Sequence, residues 1–194
     1  MVSGGIVYIF GMLIGITGTD GAGKGAVVDY LVQEKGFVHY SARAIWEEEF
    51  VKRGMDSNRA NMRLVANELR GIHGNDFLIT YYLKKKADDG AGNAVIESIR
   101  TTAEADTLKE NGGVLLAADA ERTLRYERIT ARGSSSDNIS LAEFIAHEEL
   151  EMNDPDPNGM QKAKVMEMAD YTIVNEGTLE ALGEQIEEVL QKIG

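Results

Sequence analysis

The sequence predicts an α/β fold: a five-stranded parallel sheet in the order 2-3-1-4-5, helices on both faces, and a small lid. Three observations carry this. Five short apolar runs, at 13–17, 37–40, 94–96, 114–118 and 171–174, are rich in β-branched or aromatic residues and bounded by glycine or polar residues. Strands buried on both faces read this way. Longer stretches with helical signals separate the runs, and strands alternating with helices give a parallel sheet covered on both sides. A glycine-rich turn follows the first run directly, which with right-handed crossovers places that run at the centre of the sheet.

Taken in order, the first run and its turn lead into a helix over 26–33. Thr101 to Glu104 and Ser140 to Glu143 have capping-box spacing and mark two further helix starts. The last segment repeats Leu179, Leu182, Ile186, Val189 and Ile193, an apolar stripe at helical period. Turn-rich stretches lie at 87–93, 133–138 and 153–159. The last two bracket a helix, and both prolines fall in the third, so about 133–160 is expected to be a mobile lid. Residues 12–194 read as one domain, and residues 1–11, ahead of Met12, as an N-terminal extension, with a short edge strand over 6–10 as the alternative.

Composition narrows the chemistry. The chain has 194 residues, the size of one compact α/β domain, and no cysteine, which rules out disulfides and thiolate metal sites. His39, His73 and His147 are scattered, so any metal is expected to be a hard ion held by oxygen and phosphate. The net charge of -12 has the wrong sign for nucleic-acid binding. No apolar run reaches the roughly 20 residues of a membrane span, and the start lacks the basic region of a secretory signal. A cytoplasmic protein, monomer or homodimer, with no membrane partner is the expectation.

The strongest motif is Gly18-Thr19-Asp20-Gly21-Ala22-Gly23-Lys24, a G-x-x-x-x-G-K turn between strand and helix. Its backbone N–H groups can cradle the phosphates of a nucleotide such as ATP. Lys24 adds charge at the β and γ phosphates, and the helix N-terminus adds its dipole. Gly18, Asp20, Gly21, Ala22, Gly23, Lys24, Gly25 and Ala26 are the candidate cofactor-binding residues. Ser or Thr, whose hydroxyl touches Mg²⁺, is expected after the lysine; Gly25-Ala26 stands there instead. Mg²⁺ then falls to phosphates, water and carboxylates, with Asp20 and Glu97 as candidates.

Glu97 and Arg100 end the third run, and ligands of open α/β sheets gather at the carboxyl ends of strands. A carboxylate there can hold a metal-bound water, and an arginine three residues on can fork onto a phosphate. Arg122, Arg125, Arg128 and Arg132 lie within eleven residues, and the last three share a helix face. Phosphoryl transfer needs such charge around the moving group. Arg63 and Arg70, seven apart on one helix face, are further candidates for an acceptor phosphate; either salt bridges or phosphate contacts account for Arg70.

With these residues the chain resembles nucleoside monophosphate kinases and the related dephospho-coenzyme A kinases, most of all an archaeal group of adenylate-kinase-like proteins. The likeness spans about 12–194 and implies the three-layer P-loop kinase fold. It implies phosphoryl transfer from ATP with Mg²⁺ to a small nucleotide. ESIR resembles the strand-end D-G-x-x-R of adenylate kinases, which makes Arg100 a substrate-phosphate ligand and Glu97 the counterpart of the aspartate. ERITAR resembles the R-I-x-x-R at their lid, which implies catalytic and nucleotide-binding roles for Arg128 and Arg132. ADYTIVNEGTLEAL resembles their last strand and helix and places Asn175 beside the base. The T-G-D-x-x-R element after the second strand is replaced by Tyr40-Ser41-Ala42-Arg43, so Ser41 and Arg43 are candidates for substrate binding. No arginine follows Arg132; His147, Lys162 and Lys164 remain as lid donors.

Lys24, Arg128, Arg132 and Glu97 are therefore the candidate catalytic residues, and Ser41, Arg43, Arg70 and Arg100 the candidate substrate ligands. A nucleoside monophosphate kinase is favoured over a dephospho-coenzyme A kinase, because the latter family carries an acid just after the second strand and residues 39–45 contain none. A nucleotide-binding switch or assembly ATPase is the non-kinase alternative; it needs no second phosphate site.

Overall fold

A computed structural model describes residues 11–133 and 139–194. Residues 1–10 of the expected N-terminal extension, the alternative strand over 6–10, and most of the turn at 133–138 lie outside the described residues. The described residues form one five-stranded parallel sheet in the order β2-β3-β1-β4-β5, as expected. The strands are β1 (Leu13–Gly18), β2 (Val38–Ser41), β3 (Ala94–Glu97), β4 (Val114–Asp119) and β5 (Tyr171–Val174). All six residues of β1 are buried. It pairs with β3 through Leu13 opposite Ala94 and with β4 through Ile14 opposite Val114.

Successive side chains of a strand point to opposite faces, so each face gathers its own core. One face carries Leu13, Ile96 and Leu115. They pack against α2 (Ala42–Arg53), α3 (Arg59–His73), α4 (Phe77–Asp88) and α5 (Thr102–Glu110) through Trp46, Val65, Ile79 and Leu108, and Val165 of α8 (Lys162–Glu167) closes that side. The other face carries Ile14, Ile16, Val95 and Leu116. They meet α1 (Lys24–Lys35) and α9 (Leu179–Ile193) through Val27, Leu31, Leu182, Ile186 and Val189. Of the predicted α9 stripe, Leu179 is 72% exposed, because it is the first helical residue after the Thr178 cap and lies beyond the sheet.

Helices α6 (Arg122–Arg132) and α7 (Leu141–Met152) complete the described elements. Both predicted capping boxes form. Thr101 Oγ1 accepts from Glu104 N while Glu104 accepts from the Thr101 N–H, and Ser140 and Glu143 do the same at α7. No helix of the described residues is long and apolar enough to cross a membrane.

The two caps should differ in weight. Thr101 is buried and its hydroxyl also donates to the Asn75 carbonyl at 2.6 Å, whereas the Ser140 box is exposed. Thr101→Ala should cost about 1–2 kcal/mol and Ser140→Ala about 0.5–1 kcal/mol, read as urea unfolding free energies.

Candidate active site

The glycine-rich turn closes β1 and opens α1, with no residue between Gly23 and the first helical residue, Lys24. Glycine is required at both ends of the turn. Gly18 has φ +130° and a Cβ there would stand 2.0 Å from the Ala118 carbonyl oxygen; Gly23 has φ +88° and a Cβ would stand 2.1 Å from Asn175 Nδ2. Neighbouring elements clamp the turn. Thr19 Oγ1 donates to Asp119 Oδ1 at the end of β4 at 2.6 Å, Asn175 Nδ2 donates to the Ala22 carbonyl at 2.9 Å, and Arg125 Nη1 donates to the Asp20 carbonyl at 3.1 Å. Lys24 Nζ donates to the Gly18 and Thr19 carbonyls at 3.1 and 2.7 Å and lies 3.7 Å from Asp20 Oδ1. Burial pushes its pKa down to about 8; Asp20 opposes the shift, and the charges of Lys162 and Arg100 add to it.

The facing wall begins where β3 ends. Ser98, just after Glu97, has φ +69° and is the non-glycine residue with positive φ among those described. A left-handed conformation costs a non-glycine residue about 1 kcal/mol. Its surroundings enforce it: Ile99 N donates to the Ile16 carbonyl at 3.0 Å, and Thr17 Oγ1 donates to the Ile99 carbonyl at 2.8 Å. Glu104, fully buried, then accepts from the Arg100 N–H at 2.6 Å through Oε2 and from Arg70 Nε and Nη2 at 3.3 Å through Oε1. One carboxylate thus fixes the Arg100 backbone and neutralises Arg70.

Glu97 accepts from Ser41 Oγ at 2.7 Å and lies 3.5 Å from His39 Nε2. Burial pushes its pKa up, but hydrogen bonds from His39 and Ser41 outweigh it, and the carboxyl is held below the usual range. It is a carboxylate at neutral pH.

The arginine row divides along α6. Arg125 is buried; it donates to the Ala120 carbonyl at 2.8 Å and to Glu148 of α7, so it supports the phosphate loop from behind. Arg122, exposed, reaches the other oxygen of Glu148 at 3.0 Å. Arg128 and Arg132 face the cavity, and Arg128 Nη1 is buried with no hydrogen-bond partner. A buried donor without an acceptor is rare in folded proteins and fits a ligand oxygen at that point.

Between the walls is a cavity of about 470 Å³. Of the predicted residues, Asp20, Gly21, Gly23, Lys24, Gly25, Ala26, Arg43, Arg70, Glu97, Arg100, Arg128 and Arg132 line it. Gly18, Ala22, Ser41 and Asn175 are not in its lining; they frame it through the contacts above. Trp46, Met62 and Met160 supply an apolar patch, and Arg63, whose Nε is 3.1 Å from Asp154 Oδ2, stands at the edge. The sequence reading missed three carboxylates: Asp119, Glu148 and Glu151. Asp119 had a usable signal, since it is the acid that ends the β4 run. Glu148 and Glu151 look like any acids on an exposed helix. Lys162, foreseen only as a remaining lid donor, is 2% exposed, 3.1 Å from Asp20 Oδ1 and 2.8 Å from Glu151 Oε2.

A sheet ordered 2-3-1-4-5 with a G-x-x-x-x-G-K turn on its central strand defines a P-loop protein with a kinase-like α/β fold. Within that class the chain belongs to the AAA-domain family, matched over residues 14–156, and to the UPF0200 proteins. The UPF0200 protein of Methanococcus vannielii is 31% identical over 184 residues, covering 93% of this chain and 96% of its own length. Two solved structures share the fold. TT1252 from Thermus thermophilus superposes with a TM-score of 0.61 at 23% identity, covering 95% of this chain and 99% of its own. Shikimate kinase from Bacteroides thetaiotaomicron gives 0.60 at 15% identity, covering 93% and 98%.

The Lys24 ammonium must be charged to serve phosphates, so nucleotide affinity should fall as pH rises through about 8. The loss should approach tenfold per pH unit above that point until the pKa of the bound lysine is reached. Lys24→Arg stays protonated and should flatten the profile between pH 7 and 9.5, measured by titration with a fluorescent ATP analogue.

Proposed function

We propose that this protein is a P-loop small-molecule kinase that moves the γ-phosphoryl group of ATP onto a small phosphorylated acceptor, a nucleoside monophosphate being the favoured class. The single observation behind this is the two-sided cavity. The phosphate loop with Lys24 forms one wall, and Arg100, Arg43 and the Trp46–Met62 patch form the other. A nucleotide-driven switch needs only the first wall. The shared fold with a kinase is consistent with the reading.

In this reading the phosphate loop holds the donor, Arg128 and Arg132 neutralise the charge of the moving group, and Arg100 holds the acceptor phosphate. An acceptor phosphate oxygen is already ionised, so positioning and charge suffice. Helix α7 and the 153–160 segment act as the lid. Mg²⁺ would arrive with the triphosphate and supply charge neutralisation. Gly25 offers it no hydroxyl, but Asp20 and Glu97 line the same cavity and fit a hard ion that keeps its water and phosphate ligands.

One observation favours dephospho-coenzyme A kinase as the second reading. The register pairs Ser41 with Glu97, and the two side chains are hydrogen-bonded. An acid therefore stands beside the end of β2 although residues 39–45 contain none, and it is ionised, with His39 and Ser41 holding it as a weaker base than a free carboxylate.

A coupled assay over nucleoside monophosphates and dephospho-coenzyme A, with ATP and Mg²⁺, separates the readings. Lys24→Ala should reduce transfer below about a tenth, a loss above ~1.4 kcal/mol. Arg100→Lys keeps charge but loses the fork, and should raise the acceptor KM roughly ten- to a hundred-fold with little change in the KM for ATP. An unchanged acceptor KM in Arg100→Lys, together with loss of turnover in Asp20→Asn or Glu97→Gln while Mg²⁺ is still bound, would move the assignment to the hydroxyl acceptor.

A further inference from the structure

Among the described residues, four contacts fasten the 153–160 turn to α3 and to the residues just past it. Arg63 Nε lies 3.1 Å from Asp154 Oδ2, and Asn67 Nδ2 donates to Asp156 Oδ2 at 2.9 Å. Arg70 Nη1 reaches the Asn158 carbonyl at 3.5 Å, and Asn75 Nδ2 donates to the Pro157 carbonyl at 3.0 Å. Residues 63, 67 and 70 are spaced by four and three, so one face of the helix makes three of these contacts. The Asp154 side chain is 1% exposed, and parting it from Arg63 would leave a buried charge unmatched.

The turn is stiff in its own right. Pro155 and Pro157 fix two of its φ angles. Asp154 Oδ1 accepts from Asp156 N at 3.0 Å, and Asp156 Oδ1 accepts from Asn158 N at 2.9 Å. Asp154 N donates to the Met160 carbonyl at 2.9 Å and closes the turn. Its far end and the end of α3 are anchored on consecutive residues. Gln161 N donates to the Arg100 carbonyl at 2.8 Å, and Thr101 Oγ1 donates to the Asn75 carbonyl at 2.6 Å. Both pieces line the same cavity, the turn through Met160 and the helix through Met62, Ala66 and Arg70. A stiff turn joined to a helix from residue 63 to residue 75, and anchored beside it, has no hinge of its own.

We propose that Asn67 and Asn75 are latch residues: they hold the 153–160 segment on α3, so that this part of the lid and the acceptor-side helix stay together while ligands enter and leave. Closure over the donor then also sets the acceptor-side wall. The inference rests on the lid assigned in the kinase reading and says which helix carries it.

The chain has no cysteine, so a disulfide can lock the two pieces without competing thiols. A Cβ at Gly71 would stand 3.9 Å from Asn158 Cγ and 3.4 Å from its Nδ2, which brings cysteines at 71 and 158 within reach of a bond. Neither side chain makes any of the four contacts, since Asn158 uses its carbonyl. The full-length Gly71→Cys/Asn158→Cys protein is compared reduced and oxidised with glutathione disulfide, by stopped flow with a fluorescent ATP analogue and Mg²⁺. Association and dissociation rates should agree between the two forms within about twofold. Hydrogen exchange of the 153–160 peptide is then compared between the wild type and Asn67→Ala/Asn75→Ala. Neither asparagine lines the cavity. Exchange there should quicken by about tenfold or more, because the turn opens locally once its latch is cut, while β1 is unchanged.

Rates about tenfold slower in the oxidised form overturn the proposal, because the turn must then leave α3 for the nucleotide to pass. So does a cysteine pair that fails to oxidise in the folded protein, or exchange at 153–160 that the two alanines leave unchanged. If circular dichroism shows the reduced pair unfolded, Asn67→Cys/Asp156→Cys, whose native side chains touch, takes its place with the same expectations. The kinase reading is scored separately in the coupled assay. Matching rates and quickened exchange without transfer to any acceptor remove that reading and leave the latch standing. Transfer by a protein whose locked form binds slowly removes only the latch.

Discussion

Burying a cation is the constraint on which this structure turns. Arg70, Arg125 and Lys162 are 3%, 4% and 2% exposed, and an unpaired ion at such depth costs several kcal/mol. Each meets a carboxylate: Glu104 for Arg70, Glu148 for Arg125, and Asp20 with Glu151 for Lys162. The partners are distant in sequence, so the pairs decide which elements lie together. Helix α3 is tied to α5, α6 to α7, and the start of α8 to the phosphate loop. With 32 acidic residues against 20 basic, acids are plentiful, and the placement of the few deep cations fixes the arrangement.

The same pairs shape the site. Glu104 caps α5, takes the Arg100 N–H and neutralises Arg70, so the backbone that aims Arg100 is set by a group the ligand need never touch. In such a network, loss of one member leaves the others unsatisfied, and the effects exceed the sum of single contacts. The α6 row shows how one helix divides its labour. Arg125 points inward to hold the loop carbonyl, and Arg128 and Arg132, one and two turns on, face the cavity. Spacing of three and four puts all three on one side of the helix; depth along the axis decides which supports and which faces the ligand.

That difference marks what the sequence could and could not reveal. Apolar runs, a glycine-rich turn and capping spacings are local signals, and they placed the strands, the central position of β1, and the starts of α5 and α7. The phosphate loop and the cavity-facing Lys24, Glu97 and Arg100 were legible because they sit at or just past strand or helix ends, and Arg128 because it belongs to a spaced arginine row. Long-range pairing was not. Nothing near Arg125 distinguishes it from Arg128, and nothing near Glu148 or Glu151 announces a buried partner. The carboxylate beside the second strand was hidden for a related reason. Residues 39–45 contain none, but β2 and β3 are neighbours, and the register brings Glu97 alongside Ser41. Ser98, whose φ is +69°, carries no local mark of that conformation either.

Gly25 shows how the site balances its charge. It is exposed, has no positive φ, and a Cβ there would meet nothing within 4 Å, so neither the backbone nor packing demands glycine. The hydroxyl expected at that point is absent, and the one nearby in the loop, on Thr19, is committed to Asp119. Positive charge therefore has to come from Lys24, Arg100, Arg128 and Arg132. Crowding them is unfavourable, as the depressed pKa of Lys24 records, with Lys162 and Arg100 both adding to the burial effect. Asp20 and Glu151 offset that repulsion from within.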